Sequence, residues 1–212
     1  MLTVNPDRDV VERMLADGLL RCPECGGVLL PWGRVPRRYV RHADGVEVKV
    51  SLRRTICSSR HEDGRRRTHV LLPAYLLGRR LDVAGAIWVV LVARVVDGSG
   101  WRRLAALTGR VVSTVRGWVA RAGLRAPMIR ARFIQAEHLL VSAHGADMAR
   151  VAPAGSRLGD ALAQVGVCLA ALRRCGRVTS VGRAVSVLTG GWLLGTRALR
   201  PLLDGSNISA HL

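Results

Sequence analysis

The stretch Trp101–Ala122, WRRLAALTGRVVSTVRGWVARA, decides how the rest of the chain is read. Leu104, Ala105 and Leu107 place apolar groups on one helical face. Gly109 stands where the chain must turn sharply, a position at which lacking a Cβ costs nothing. Beyond the turn Val111, Val115, Trp118 and Val119 recur at helical spacing, with Val115 and Trp118 as the inward anchors. Ala105, four residues before the glycine, is small enough for a second helix to cross close by. This is the pattern of a helix-turn-helix, whose second helix enters the DNA major groove. The outward face of that second helix, residues 112–122, carries Ser113, Thr114, Arg116 and, one turn on, Arg121. Hydroxyls and guanidinium groups bond to base edges and to phosphates. Arg102, Arg103 and Arg110 belong to the same expected DNA surface. The competing reading is a plain helical hairpin in an arginine-rich chain.

Upstream, Leu81–Val96 has Val83, Ile87, Val90, Leu91 and Val95 apolar, with Asp82 as N-cap and Gly98 as stop. It is the support helix of a three-helix core. Before it, HVLLPAYLL (His69–Leu77) reads as an apolar link, and Pro73 argues against a continuous helix there.

Further upstream, Arg21–Gly27 reads RCPECGG. Two cysteines on a tight turn, followed by glycines that let amides point at sulfur, form a zinc knuckle. The β-branched segments Val28–Trp32, Arg37–Arg41 and Val46–Thr55 follow, punctuated by Pro36 and by Asp44-Gly45, a hairpin signal. A knuckle, a hairpin and a second ligand pair make a zinc ribbon. Cys57 supplies the third thiolate, and no cysteine follows it at CxxC spacing. In CSSRHEDGRRRTH either His61 or His69 must complete the site. His61 stands four residues from Cys57; the charged loop Glu62–Arg67 separates His69 from it. The expected ligands are therefore Cys22, Cys25, Cys57 and His61, around one Zn²⁺ ion; the competing reading is a degenerate ribbon that has lost its metal and kept its strands.

The formal net charge of the 212 residues is +18, which favours a polyanionic partner, nucleic acid first. Lys49 is the sole lysine, and arginine carries the rest, as a GC-rich coding bias produces. That bias explains arginine in place of lysine but not the scarcity of acids. The run Arg65-Arg66-Arg67 can lie along phosphates, each neutralised phosphate steepening the salt dependence of binding. No secretory h-region follows Met1. The apolar runs Val83–Val92 and Val185–Leu194 fall short of the roughly 20 residues a bilayer needs. An odd number of cysteines with one close pair fits a reducing cytosol and a metal site. The expected location is cytoplasmic, at the nucleoid.

In order, CPECGG, Trp32-Gly33, an arginine-rich strand, Cys57, THVLLPA (Thr68–Ala74) and STVRGW (Ser113–Trp118) together resemble a family of uncharacterised actinobacterial proteins. These pair a zinc ribbon with a helix-turn-helix similar to that of insertion-sequence transposases. The resemblance covers about residues 8–125. In that family a second CxxC precedes THVLLP; here its second cysteine is missing and residues near His61–Arg67 look inserted. The resemblance implies DNA binding linked to mobile elements or regulation, and no established enzymatic activity.

Toward the C-terminus, Pro127 closes the motif and Met128–Val151 can form one helix, with Glu137, His138 and His144 as solvated residues. Ser156 can cap a helix from Arg157 to Cys175, and Thr179 or Ser180 a second from Val181 to Leu194. Their apolar stripes make a hairpin that packs on the helix-turn-helix or on a second copy of the chain, the expected homodimer. Cys168 and Cys175 read as buried small side chains.

The expected fold is mainly α with a small N-terminal β zinc ribbon, a helix-turn-helix core and a C-terminal helical hairpin. Its divisions are an N-terminal helix (1–20), the ribbon (21–72), the helix-turn-helix (73–127), the C-terminal helices (128–204) and a frayed tail (205–212). The expected function is major-groove reading of double-stranded DNA without catalysis. A transposase needs clustered carboxylates for two metals, and after the motif the acids are only Glu137, Asp147, Asp160 and Asp204, widely scattered. The alternative is a protein-interaction module, or a transposase remnant that no longer catalyses.

Overall fold

The computed structural model describes residues 1–36, 38–42, 44–144, 148–176 and 180–195. Within residues 1–20, helix α1 (Arg8–Ala16) is capped by the Asp7 carboxylate, which accepts from the Asp9 and Val10 amides. Gly18, left-handed at φ 65°, ends it. The pattern gives no hint of the strand before it, β1 (Leu2–Val4), because three residues are too few to show a period of two.

After the knuckle come β2 (Leu29–Arg34) and β3 (Arg38–Arg41). The expected single segment Val46–Thr55 is two strands in different sheets, β4 (Glu47–Val50) and β5 (Arg53–Cys57). β3 and β4 form a hairpin over Asp44-Gly45, where Gly45 has φ 84° and the Asp44 carboxylate accepts from the Val46 amide. Residues 69–77 are likewise not a mere link. They open with β6 (Thr68–Pro73), an inner strand of the four-stranded sheet ordered β1-β6-β5-β2. Pro73 sits at its end, where a missing N–H interrupts little of the ladder. β1 runs parallel to β6, and the other pairs are antiparallel.

Helix α2 (Ala84–Val95) starts later than Leu81, and Asp82 is not its cap. The Asp82 carboxylate is taken by Arg110 Nε at 2.6 Å, and Val83 occupies the cap position without a side-chain bond. Helix α3 (Trp101–Thr108) ends at Gly109, left-handed at φ 61°. Leu107 and Val111, expected inside, are 52% and 67% exposed; Thr108 is buried in their stead, its hydroxyl donating to the Leu104 carbonyl.

Helix α4 (Val112–His144) corrects the sequence reading most. Pro127 does not close the motif: the helix runs through it for 33 residues, about 50 Å at the usual 1.5 Å rise. A proline inside a helix costs about 3 kcal/mol, since it removes one backbone bond and crowds the preceding turn. An unbroken buried stripe outweighs that penalty: Val115, Trp118, Ala122, Ala126, Ile129, Phe133, Ala136 and Leu140 follow one another at three- and four-residue steps.

Helix α5 (Arg157–Arg174), capped by Ser156, packs along α4. Helix α6 (Val181–Leu188), capped by Ser180, packs mainly on α2 and stops before Gly190. The apolar stripes of both are buried in the chain's own core, with Val165, Cys168, Val185 and Leu188 at 0% exposure. Thr179 and the tail 205–212 lie outside the described residues.

At the α2–α6 crossing, a Cβ on Gly182 would stand 2.8 Å from the Gly85 nitrogen and 3.0 Å from its Cα. Both contacts are backbone and cannot swing aside. Gly182→Ala is therefore expected to lower stability by about 1–3 kcal/mol, read as the midpoint of urea unfolding. An unchanged midpoint would show that the two helices do not cross so closely.

Candidate metal centre and basic face

Two backbone bonds build the knuckle: Cys22 N–H to the Gly27 carbonyl at 2.7 Å, and Gly26 N–H to the Cys22 carbonyl at 2.9 Å. Gly27 is required for space. A Cβ there would come within 2.6 Å of Ser59 Oγ and 3.1 Å of Cys57 Sγ. Cys57 ends β5, and its amide bonds to the Arg67 carbonyl at 2.8 Å, which closes the neck of the loop 58–67. Inside the loop His61 N–H bonds to the Arg65 carbonyl and Gly64 N–H to the His61 carbonyl. The loop thus folds back and brings His61 to the knuckle.

The thiols of Cys22, Cys25 and Cys57 and a ring nitrogen of His61 lie within 4.8 Å of one another. Cys25 Sγ is 3.4 Å from Cys57 Sγ, and His61 Nε2 is 3.8 Å from Cys22 Sγ and 3.7 Å from Cys25 Sγ. These four residues can hold one metal ion. His69, the other candidate, is buried on β6 with its Nε2 3.3 Å from Cys22 Sγ and lies outside the four-residue group. As the Nε2–H tautomer it donates to that sulfur, which is how an outer partner orients a ligand.

The Gly27 amide, and then the Cys57 thiol, lower the pKa of Cys25 by hydrogen bonding to its sulfur. Burial pushes the Cys57 thiol up to about 11. A coordinated cation reverses that second effect, because a ligating thiol loses its proton outright. Two outer residues were not marked by any spacing rule. Glu24, the variable position of CPEC, has its carboxylate 3.9 Å from His61 Nδ1 and 3.6 Å from Arg67 Nε. Ser59 packs against Gly27. Arg67 also pairs with Asp63 at 3.0 Å, so of Arg65-Arg66-Arg67 its guanidinium is committed to acids, while Arg65 and Arg66 are exposed.

On α4, Ser113, Arg116 and Arg121 are exposed and Thr114 is half-buried, while Val115 and Trp118 on the other side are at 0% and 2%. Arg102 and Arg103 are exposed on α3. The Trp101 ring carries two guanidiniums, Arg94 at 4.4 Å and Arg116 at 5.5 Å, a cation–π contact that sets the direction of Arg116. Arg110 departs from expectation. Its side chain is 10% exposed, its Nε is bound to Asp82 and a terminal nitrogen donates to the Gly109 carbonyl at 3.1 Å. It fastens the α3–α4 turn to the segment before α2 and does not present a free guanidinium outward.

Glu137 departs further from the solvated residue expected there. Fully buried on α4, it accepts from Gln164 Nε2 at 2.6 Å and from the Ala149 amide at 3.0 Å. His138 is exposed, and the His144 side chain lies outside the described residues. Among the described residues no helix is long and apolar enough to cross a membrane. No family model, curated protein or solved structure matches the chain.

Proposed function

We propose that the protein binds double-stranded DNA through a helix-turn-helix formed by α2, α3 and the first turns of α4, beside a ribbon held by one Zn²⁺ ion. The observation that carries this reading is the two-sidedness of α4 at its start. Val115 and Trp118 anchor it inward, and Ser113, Arg116 and Arg121 face solvent. That is the side-chain chemistry that reads base edges and grips backbone phosphates. The left-handed glycine between α3 and α4 supplies the sharp turn such a motif needs. The net charge of +18 supports a polyanionic partner.

Donor chemistry favours zinc at the metal centre. Three thiolates and one imidazole form a closed structural set, with all four tetrahedral positions taken by protein. A Zn–S bond of about 2.3 Å puts tetrahedral ligands about 3.8 Å apart; three of the pairs here stand 3.4–3.8 Å apart and all lie within 4.8 Å. The ion would hold the knuckle to the β5–β6 loop. Of the four acids after the motif, Glu137 is hydrogen-bonded inside the core and Asp160 accepts from the Ala154 amide near the start of α5. Glu137 is thereby closed off from solvent, and Asp160 stands on a different helix, so the two do not make the clustered carboxylates that a two-metal centre needs.

Oligonucleotide selection tests the reading. The intact protein is expected to enrich a consensus from random duplexes. Arg116→Ala is expected to relax one position of it by about 1–3 kcal/mol, the worth of one bidentate contact. Identical consensus sequences from both proteins would remove Arg116 from the reading surface, and no enrichment by the wild type would remove DNA reading altogether.

A further inference from the structure

The loop that leaves the ribbon for α2 contains a backbone anomaly. Arg79 has φ 58°, the only non-glycine residue with positive φ among those described. Glycine would adopt that conformation freely, whereas an arginine held there keeps a guanidinium where the backbone resists it. Its neighbour Arg80 is half-buried, with one terminal nitrogen donating to the Leu194 carbonyl at 3.2 Å. Its Nε is shielded from solvent and has no hydrogen-bond partner among the described residues. Burial and the nearby positive charge of Arg121 both press on its charged form.

These groups line a cleft of about 450 Å³ between the ribbon and the start of α4. Arg41, Arg79, Arg80, Arg110 and Arg121 line it, and since Arg41 is paired with Glu47 and Arg110 with Asp82, the charges left to gather there are those of Arg79, Arg80 and Arg121. Ser113 and Thr114 stand on its α4 wall. Like charges gathered in a concave, partly dry space repel unless an anion joins them. Guanidinium forks match tetrahedral oxyanions in geometry as well as charge.

We propose that this cleft is a phosphate-binding site, in which Arg79, Arg80 and Arg121 hold one phosphate group beside the Ser113 and Thr114 hydroxyls. In its fullest form the inference rests on the DNA reading above: the phosphate is one of the duplex backbone, and gripping it adds affinity without choosing the sequence. A free phosphate ester offers the same chemistry.

The test uses the intact protein and Arg79→Gly, which removes the guanidinium and relieves the backbone. Thermal unfolding is followed in inorganic phosphate and in chloride at equal ionic strength, and duplex binding is followed against salt. Phosphate is expected to raise the wild-type melting temperature saturably and to have little effect on Arg79→Gly. The slope of log K against log salt is expected to become shallower by about 0.9 in the variant, with its selected consensus unchanged. A slope change without a phosphate shift supports a site for the diester alone. A phosphate shift lost in Arg79→Gly, in a protein that binds no duplex, upholds the site for a free phosphate and overturns the DNA reading. Equal phosphate shifts in the two proteins, or no shift together with equal salt slopes, overturn the site.

Discussion

Stripping the metal with a strong chelator is expected to unfold the ribbon while the helices keep their far-ultraviolet signal. The ribbon side of the molecule has a small core of its own, Val4, Val11, Leu15, Leu20, Leu29 and Leu71 plus the candidate ligands Cys22 and Cys57, and a second small cluster in which Val40, Leu52, Leu72 and Leu76 pack with Val83 and Ala86. So small a core does not offset the entropy of ordering the chain around it, and domains of this kind depend on a staple. Structural zinc supplies about 10–16 kcal/mol in small zinc peptides at neutral pH, comparable with the whole stability of an ordinary domain, about 5–15 kcal/mol. The helices share a separate and larger core running from Ile87 and Leu91 through Phe133 to Leu172. Hydrogen exchange at the Cys22, Gly26 and Cys57 amides is the measurement, since each is bonded only while the knuckle and loop neck are closed. Retained protection after verified metal removal would mean that the sheet stands alone.

The two histidines separate in the same experiment. His61→Ala removes one of the four groups that can hold the ion and is expected to abolish tight binding. His69→Ala removes only a donor to the Cys22 sulfur and is expected to weaken affinity about 10–100-fold, as outer-shell changes do. The reverse order of severity would exchange their roles.

Much of this centre is legible in the sequence because its geometry is local. CPECGG fixes a turn within a few residues, and Cys57 to His61 is one short loop. Glu24 escapes notice, and His69 reads only as the alternative ligand, because their places beside the centre depend on segments that meet only in the fold. The strands themselves divide the same way. The Asp44-Gly45 hairpin is written in its turn residues, whereas β1 is too short to show a period and β6 reads as an apolar run without direction. Pro127 shows a different limit. Intrinsic propensity ends a helix there, yet tertiary burial of Ala126, Ile129 and Phe133 carries the helix on. In sequence Arg110 reads as a DNA contact and Asp82 as a helix cap, and the fold uses them on each other.

Glu137 is the sharpest instance, and it yields the second large effect. A glutamate on an amphipathic helix is ordinarily solvated, yet this one has no exposure. It is held by the Gln164 amide from α5 at 2.6 Å and by the Ala149 backbone, and it lies close enough to Cys168 to help burial push that thiol up to about 12. Gln164→Leu is therefore expected to destabilise the protein by about 3 kcal/mol, since it leaves a buried carboxylate oxygen without its donor. For a domain of this length that is about 6–12 °C in melting temperature. Glu137→Leu is expected to cost somewhat less, about 1–3 kcal/mol, because the groups it orphans are neutral. The double substitution removes both the acceptor and the side-chain donor and leaves an apolar contact between α4 and α5. It is expected to be milder than the sum of the singles by 1 kcal/mol or more, on the order of couplings between directly bonded residues. Urea unfolding of the four proteins measures the cycle. Strict additivity would show that Glu137 and Gln164 do not share a bond in solution, and that α4 and α5 are registered by apolar packing alone.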